Sequence, residues 1–378
     1  MIEAPIALLS FLFLVIASTR WLENRFAVLK KITSAVLCTL TGIALANIGI
    51  IPHSSPLYAS VFEYAIPYAI ALVILASSLS DLKRAGPRLV IAFGLAGLGT
   101  FLGSLAGGVM FARWVGDETW KLGGQFVGAF FGGGMNFAAI GQGLDVSPSL
   151  FAAGAVAINL TTVPWLLLQM VLANKLGGRF APPVDDRDAE SAMVDHDPRK
   201  VWVTASVSLS EVALLAAIPL AILWAARQLR TLSEGFPEVL WVTTLALVLA
   251  QIPQLRKLRG SAFFSYFAMH LFFIVIGAQS VLREVLNAGP AVLAFMVTAI
   301  ATHAVVLFGI GWLLRFDIRT LSVASQAAVG GPGSALALSM SMNWSRLVTP
   351  GIILGIFGYA FGNYLGFASA YLLRAWLQ

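Results

Sequence analysis

Two glycine clusters, Gly132-Gly133-Gly134-Met135-Asn136 and Gly330-Gly331-Pro332-Gly333-Ser334, stand inside apolar stretches with small polar residues beside them. Gln125, Asn136 and Gln142 accompany the first; Ser322, Ser325, Gln326 and Ser334 accompany the second. The chemistry open to such residues is binding. Amides and hydroxyls supply donors and acceptors without a buried charge. Backbone broken by glycine and proline frees carbonyls that can hold a sodium ion, and the N–H groups that open a half-helix can hold an anionic group. Bond-making chemistry has no counterpart here: the chain carries no nucleophile elbow, His-Glu-x-x-His pattern, paired membrane aspartates or phosphate-binding Gly-Lys-Ser/Thr loop. The expectation is a protein that is not an enzyme and has no cofactor beyond a sodium ion. Any uphill work would draw on an ion gradient.

The candidate site is Gly132, Gly133, Gly134 and Asn136 facing Ser325, Gln326, Gly330, Gly331, Gly333 and Ser334, with sodium expected at Asn136, Gly331 and Ser334. Asn159, followed by Thr161, Thr162 and Pro164, and Asn363 lie in the segments after the two clusters. Each fits either a binding role or an interhelical hydrogen bond. Glycine-rich faces also serve tight helix packing, although that use favours glycines four apart over runs of three. Glu63 and Glu211 fall near segment ends, within reach of the interface or a partner. His270 and His303 suit helix–helix hydrogen bonds or a proton role.

Holding such residues at depth takes apolar elements. The 378 residues are 58% hydrophobic and 11% charged, with a mean hydropathy of +0.85. A soluble domain carries roughly 25% charged residues. The chain reads as an all-α polytopic membrane protein. Ten apolar segments fall near 4–20, 33–51, 58–79, 88–113, 148–173, 203–226, 237–253, 261–282, 290–314 and 346–373. Two more, 119–143 and 319–342, hold the glycine clusters. The net charge of +6 is scattered in short clusters, which argues against a nucleic-acid partner, and the one cysteine, Cys38, excludes an internal disulfide.

The halves echo one another. Gly86-Pro87 opens a span and Gly289-Pro290 repeats it 203 positions on; Gly133-Gly134 matches Gly330-Gly331, and Leu150 with Gly154 matches Leu347 with Gly351, at 197. The expected organisation is a first repeat over 1–174, a cytoplasmic linker over 175–200 and a second repeat over 201–378. If both glycine segments dip in and return on one side, eighteen basic residues fall inside. Only Arg113, Lys121, Arg227, Arg230, Arg283 and Arg374 remain outside. The positive-inside rule favours that arrangement, and five spans per half then invert the second repeat.

The N-terminus is expected outside. Arg20, Arg25, Lys30 and Lys31 follow the first apolar run, the reverse of a secretory signal. Asp81 with Lys83 and Arg84 marks a helix end at the cytoplasm. Pro182-Pro183 and the acidic run Asp185 to Glu190 read as a solvated connector; with His196 they do not match a calcium loop.

The stretches Phe131 to Ala139 and Ala324 to Gly333 resemble the paired motifs of a widespread membrane family known as domain of unknown function 819, over nearly the whole chain. More distantly they are similar to the sodium/glutamate symporters and the two-hydroxycarboxylate transporters. That resemblance implies two re-entrant loops meeting at a substrate and a transport core moving against a dimeric scaffold, coupled to sodium or protons. This chain departs from the pattern where Met135-Asn136 follows the first glycine run and where Pro332 takes the variable place of the second. Substrate identity is not carried over. The functional expectation is an ion-coupled secondary active transporter of a small anionic or zwitterionic organic solute, a homodimer in the cell inner (plasma) membrane. A passive channel and a non-transporting scaffold or sensor are the alternatives.

Overall fold

The computed structural model describes residues 2–26, 29, 34–76, 82–176, 207–232 and 236–378. Lys30, Lys31, Asp81 and the polar linker with Pro182, Pro183 and His196 lie outside the described residues. The described chain is helical: α1 (Pro5–Arg25), α2 (Ser34–Asn47), α3 (Pro56–Leu75), α4 (Leu82–Ala85), α5 (Pro87–Val115), α6 (Thr119–Gly132), α7 (Gly134–Gly143) and α8 (Pro148–Leu176), then α9 (Leu209–Leu232), α10 (Glu238–Leu249), α11 (Pro253–Arg256), α12 (Ser261–Gln279), α13 (Leu282–Leu313), α14 (Ile318–Val329), α15 (Gly331–Ser341) and α16 (Ser345–Leu377).

Eight of these, α1, α3, α5, α8, α9, α12, α13 and α16, are long and apolar enough to cross a membrane. Among the described residues the other two expected spans are shorter. Their apolar helical stretches, Val36–Asn47 and Glu238–Leu249, rise about 18 Å each, against a hydrocarbon core of about 30 Å.

Local signals set the helix starts. Ser55 caps α3 by accepting from Leu57 N, with Pro56 at the first helical position. Asp317 Oδ1 accepts from Thr320 N at 2.9 Å and caps α14. Ser208 and Glu211 form a reciprocal capping box ahead of α9. Pro87 opens α5 as expected, but Pro290 does not open its helix: α13 begins at Leu282 and runs through it. Residues 282–289 carry helix-favouring Leu, Arg, Glu and Ala with Glu284 in the first turn, and a proline there forfeits one backbone hydrogen bond near the start of a 32-residue helix.

Two groups of helices pack side by side. In one, α2 and α12 approach closely enough that a methyl group at Gly277 would stand 2.1 Å from Thr39 O, and α3, α9 and α10 pack around them. In the other, α5 lies on α13, and α6, α7, α8, α14, α15 and α16 gather about that pair. Backbone landmarks recur along the chain. Positive φ occurs at Gly116 and Arg315, at Gly133 and Gly331, and at Asp145 and Asn343, which are 199, 198 and 198 residues apart. The bent glycine of the second cluster is therefore Gly331, one residue later than the sequence pairing with Gly330 suggests.

Candidate functional site

Each glycine cluster is the tip of a helical hairpin. At the first, Gly133 takes φ 76° and ψ −171°, a conformation only glycine adopts freely, and α6 gives way to α7. The chain doubles back there. Gln125 Nε2 in α6 donates to Phe137 O in α7 at 3.1 Å, which a straight helix would hold about 18 Å apart. Lys121 Nζ donates to Asp145 O at 2.6 Å, and Ser147 N to Glu118 Oε2 at 3.2 Å, closing the base. Burial pushes the Glu118 carboxyl up, but hydrogen bonds from Lys121 and Ser147 outweigh it and hold the group below its ordinary range.

At the second cluster the bend falls at Gly331, with φ 70°. Val323 of α14 and Ala335 of α15 both lie against Gly351, and the Arg319 guanidinium sits 6.0 Å over the Trp344 ring at the base. Both hairpins end alike: Val146 N donates to Gly141 O at 2.9 Å, and Trp344 N to Ser339 O at 2.8 Å.

α16 brings the tips together. Its C-terminal half carries the first hairpin: Gly124 packs on Gly366 and Ala370, Ile140 on Gly366, and Asn136 on Gly362. Trp120 at that hairpin's base stacks near Tyr371 and beneath Arg374. The N-terminal half carries the second hairpin, from Gly351 to Gly355, where a methyl group would stand 2.4 Å from Pro332 N. Gly358 meets Phe131 O and Gly132. The hairpins thus lie along opposite halves of one helix, and their tips meet on it between Gly355 and Gly358, about 4.5 Å apart along its axis. The ring of Tyr359 fills the junction, in contact distance of both bent glycines: 3.6 Å from the Cβ position of Gly133 and, at its hydroxyl, 3.5 Å from that of Gly331.

α8 mirrors this arrangement. Gly154 packs on Phe137 and Leu122 of the first hairpin, Thr162 lies beside Gly330, and Trp165 Nε1 donates to Ser325 Oγ at 3.0 Å. Asn159 stands on α8 between those levels, half-buried, its Nδ2 donating to Ala155 O.

The predicted site residues are therefore mostly gathered at one place. Gly132, Gly133 and Gly134 form the first tip; Gly330, Gly331, Gly333 and Ser334 form the second; Gly134 and Gly333 are exposed. Asn136 is turned into the seam with α16, where Nδ2 donates to Tyr359 O at 3.0 Å. Ser325 and Gln326 lie about one turn below the second tip, Gln326 facing the Gln169 amide at 2.9 Å. Asn363 is turned away: its Nδ2 donates to Thr243 Oγ1 of α10 at 3.0 Å. Gln125 Oε1, Ser322 Oγ and Gln326 Oε1 are buried and have no protein partner.

Residues 10–376 match the family described as "Protein of unknown function (DUF819)". The chain belongs to the DUF819 family. It is also similar to the "Uncharacterized membrane protein YjcL" of Bacillus subtilis (strain 168), at 25% identity over 360 residues that cover 91% of each chain. With its long apolar helices, this DUF819 member is a multi-pass membrane protein.

The four ionisable residues that the sequence places in or near spans, Glu63, Glu211, His270 and His303, have partners in this DUF819 chain. Glu63 pairs with Arg227 at 3.0 Å, and Glu211 accepts from Ser208 and Arg259 N. His270 meets Ser34 of α2, and His303 meets Ala96 and Thr100 of α5, the helix–helix bonds expected of both. Among the described residues no cluster of His, Cys, Asp and Glu could hold a metal. Sequence reasoning missed Tyr359, Trp165 and Gln169. It also missed the four-residue glycine spacing Gly124-Gly128-Gly132 against Gly358-Gly362-Gly366, a signal that was present in the chain.

Proposed function

We propose that this DUF819 member is a secondary active transporter of a small anionic or zwitterionic organic solute, coupled to sodium or protons. The observation that carries the reading is the meeting of two glycine-tipped hairpins halfway along α16. Polar backbone freed at such a depth survives only where protein or a watery cavity satisfies it, and paired broken elements at a repeat interface are where transporters hold their solutes. At each tip the opening N–H groups, those of Gly134 and Met135 in α7 and of Gly331 and Gly333 in α15, carry partial positive charge, which suits a carboxylate; Asn136 N and Phe137 N already donate to Gly133 O, and Pro332 has no N–H. Neighbouring carbonyls that end α6 and α14 suit an ammonium group or a sodium ion, with Asn136, Gly331 and Ser334 the first residues to test for the ion.

In this reading the hairpins are re-entrant, the two halves are inverted repeats, and the bundle of α5–α8 and α13–α16 moves against the remaining helices in a homodimer of the inner membrane. The discriminating experiment is uptake into proteoliposomes under a sodium or proton gradient across a panel of small organic acids and amino acids. Uphill accumulation that collapses with an ionophore supports the transporter. Equilibration without accumulation supports a passive channel built on the same hairpins.

A further inference from the structure

A polar cluster lies one turn below the second hairpin's tip, formed by Thr100 of α5, Trp165 and Gln169 of α8, His303 of α13, and Ser322, Ser325 and Gln326 of α14. His303 is fully buried. Its Nδ1 lies 2.9 Å from Ala96 O, a pure acceptor, so Nδ1 carries a proton. Its Nε2 lies 2.8 Å from Ser325 Oγ. The direction of that second bond depends on Gln169.

The Gln169 oxygen accepts from Trp165 Nε1 at 2.9 Å and Ser325 Oγ at 2.6 Å when its nitrogen faces Ser322 O at 3.2 Å and the Gln326 amide at 2.9 Å, an arrangement in which Gln326 turns its otherwise unpartnered oxygen toward that nitrogen. In that orientation the Ser325 hydroxyl proton goes to Gln169. Nothing is then left on Ser325 for the histidine, and both ring nitrogens of His303 face acceptors. The opposite orientation sets Gln169 nitrogen against the Trp165 N–H and its oxygen against Ser322 O. The first orientation, which leaves Ser325 Oγ as an acceptor, accommodates a second ring proton on His303 Nε2.

Building on the transporter reading, we infer that His303 is a proton-binding site and that the proton is the coupling ion. The residues facing it are Ala96, Gly99 and Thr100 from α5, Trp165 from α8 and Ser325 from α14; none carries a charge. An imidazolium there is stabilised by acceptors at both nitrogens, Ala96 O and Ser325 Oγ. A buried charge without a counter-ion is costly, so the proton is held only while this geometry lasts. Ser325 and Gln326 belong to the hairpin that bears Gly331, so a shift of that hairpin against α13 within the moving bundle removes an acceptor and releases the proton. Binding and release are thereby tied to the element that meets the solute.

The test is nitrogen NMR of the full-length protein in nanodiscs, labelled at its four histidines, with His303→Gln assigning the signal. The expected result is one histidine whose two nitrogens become equivalent, as in an imidazolium, as pH falls from about 8 to about 5. Ser325→Ala and Gln169→Leu abolish that transition while the fold, monitored by thermal unfolding, is kept. A His303 signal that stays neutral throughout overturns the inference. Sodium-driven accumulation with a silent His303 would overturn it while leaving the transporter reading intact, whereas absence of any accumulation with a titrating His303 would sink the transporter reading.

Discussion

Asn136 shows what one side chain does at this junction. It is 2% exposed, and its Nδ2 reaches two successive carbonyls of α16, Tyr359 O at 3.0 Å and Gly358 O at 3.5 Å. The amide bridges the first hairpin to the helix that both tips share. Asn136→Ala removes one buried hydrogen bond and leaves a small void, at a cost of about 1–3 kcal/mol. Asn136→Asp should be worse, because a carboxylate would face carbonyl oxygens with no donor. Thermal unfolding in detergent should rank wild type above Ala and Ala above Asp; a carboxylate tolerated as well as the methyl would show that the amide does not face α16. The importance of Asn136 was readable from its place after three glycines. Its direction was not, because that depends on a helix more than two hundred residues away. Tyr359 gave no sign at all, since one more aromatic in an apolar helix looks like any other.

Among the elements, the seam between α6 and α16 is made by absence of side chains. A methyl group at Gly358 would stand 2.0 Å from Phe131 O, and one at Gly132 would stand 2.4 Å from Gly358 O; neither backbone can yield without parting the helices. Gly289 in α13 has no neighbour within 4 Å of its Cβ position. Gly358→Ala should therefore lower the unfolding temperature and, under the transporter proposal, abolish uptake. Gly289→Ala should leave the unfolding temperature unchanged or raise it, adding up to the ~0.5–1 kcal/mol of stability that glycine costs inside a helix. Equal effects from the two would contradict a backbone-to-backbone seam. The hairpins were legible because runs of glycine are rare within apolar segments. The seam was passed over because attention to the runs obscured the four-residue spacing beside them. Pro290 misled for a related reason: Leu282, Arg283, Glu284, Leu286 and Ala288 before it are good helix formers, with Glu284 in the first turn, and they carry the helix past Val285, Asn287 and Gly289.

For the whole molecule, the account rests on where the hairpin bases emerge. Ten apolar segments and the scattered basic loops made the membrane class plain from composition. Which segments are short among the described residues was not plain: the described part of α2 ends in a turn at 48–50 and α10 in a turn at 250–252. The base of the first hairpin carries Lys121 and lies by Arg374; that of the second carries Arg319 and Trp344, at the opposite end of α16. The sides of the membrane to which these ends belong can be read directly. In a Cys38→Ser background, which frees the chain of its one native cysteine, single cysteines at Asp117, Ser147, Leu314 and Ser341, all exposed, are labelled with an impermeant maleimide in intact and inverted vesicles. The account predicts that Asp117→Cys and Ser147→Cys react from one face and Leu314→Cys and Ser341→Cys from the other. Reaction of the two members of either pair from opposite faces would mean that the segment crosses the bilayer, and would contradict two hairpins meeting in its middle.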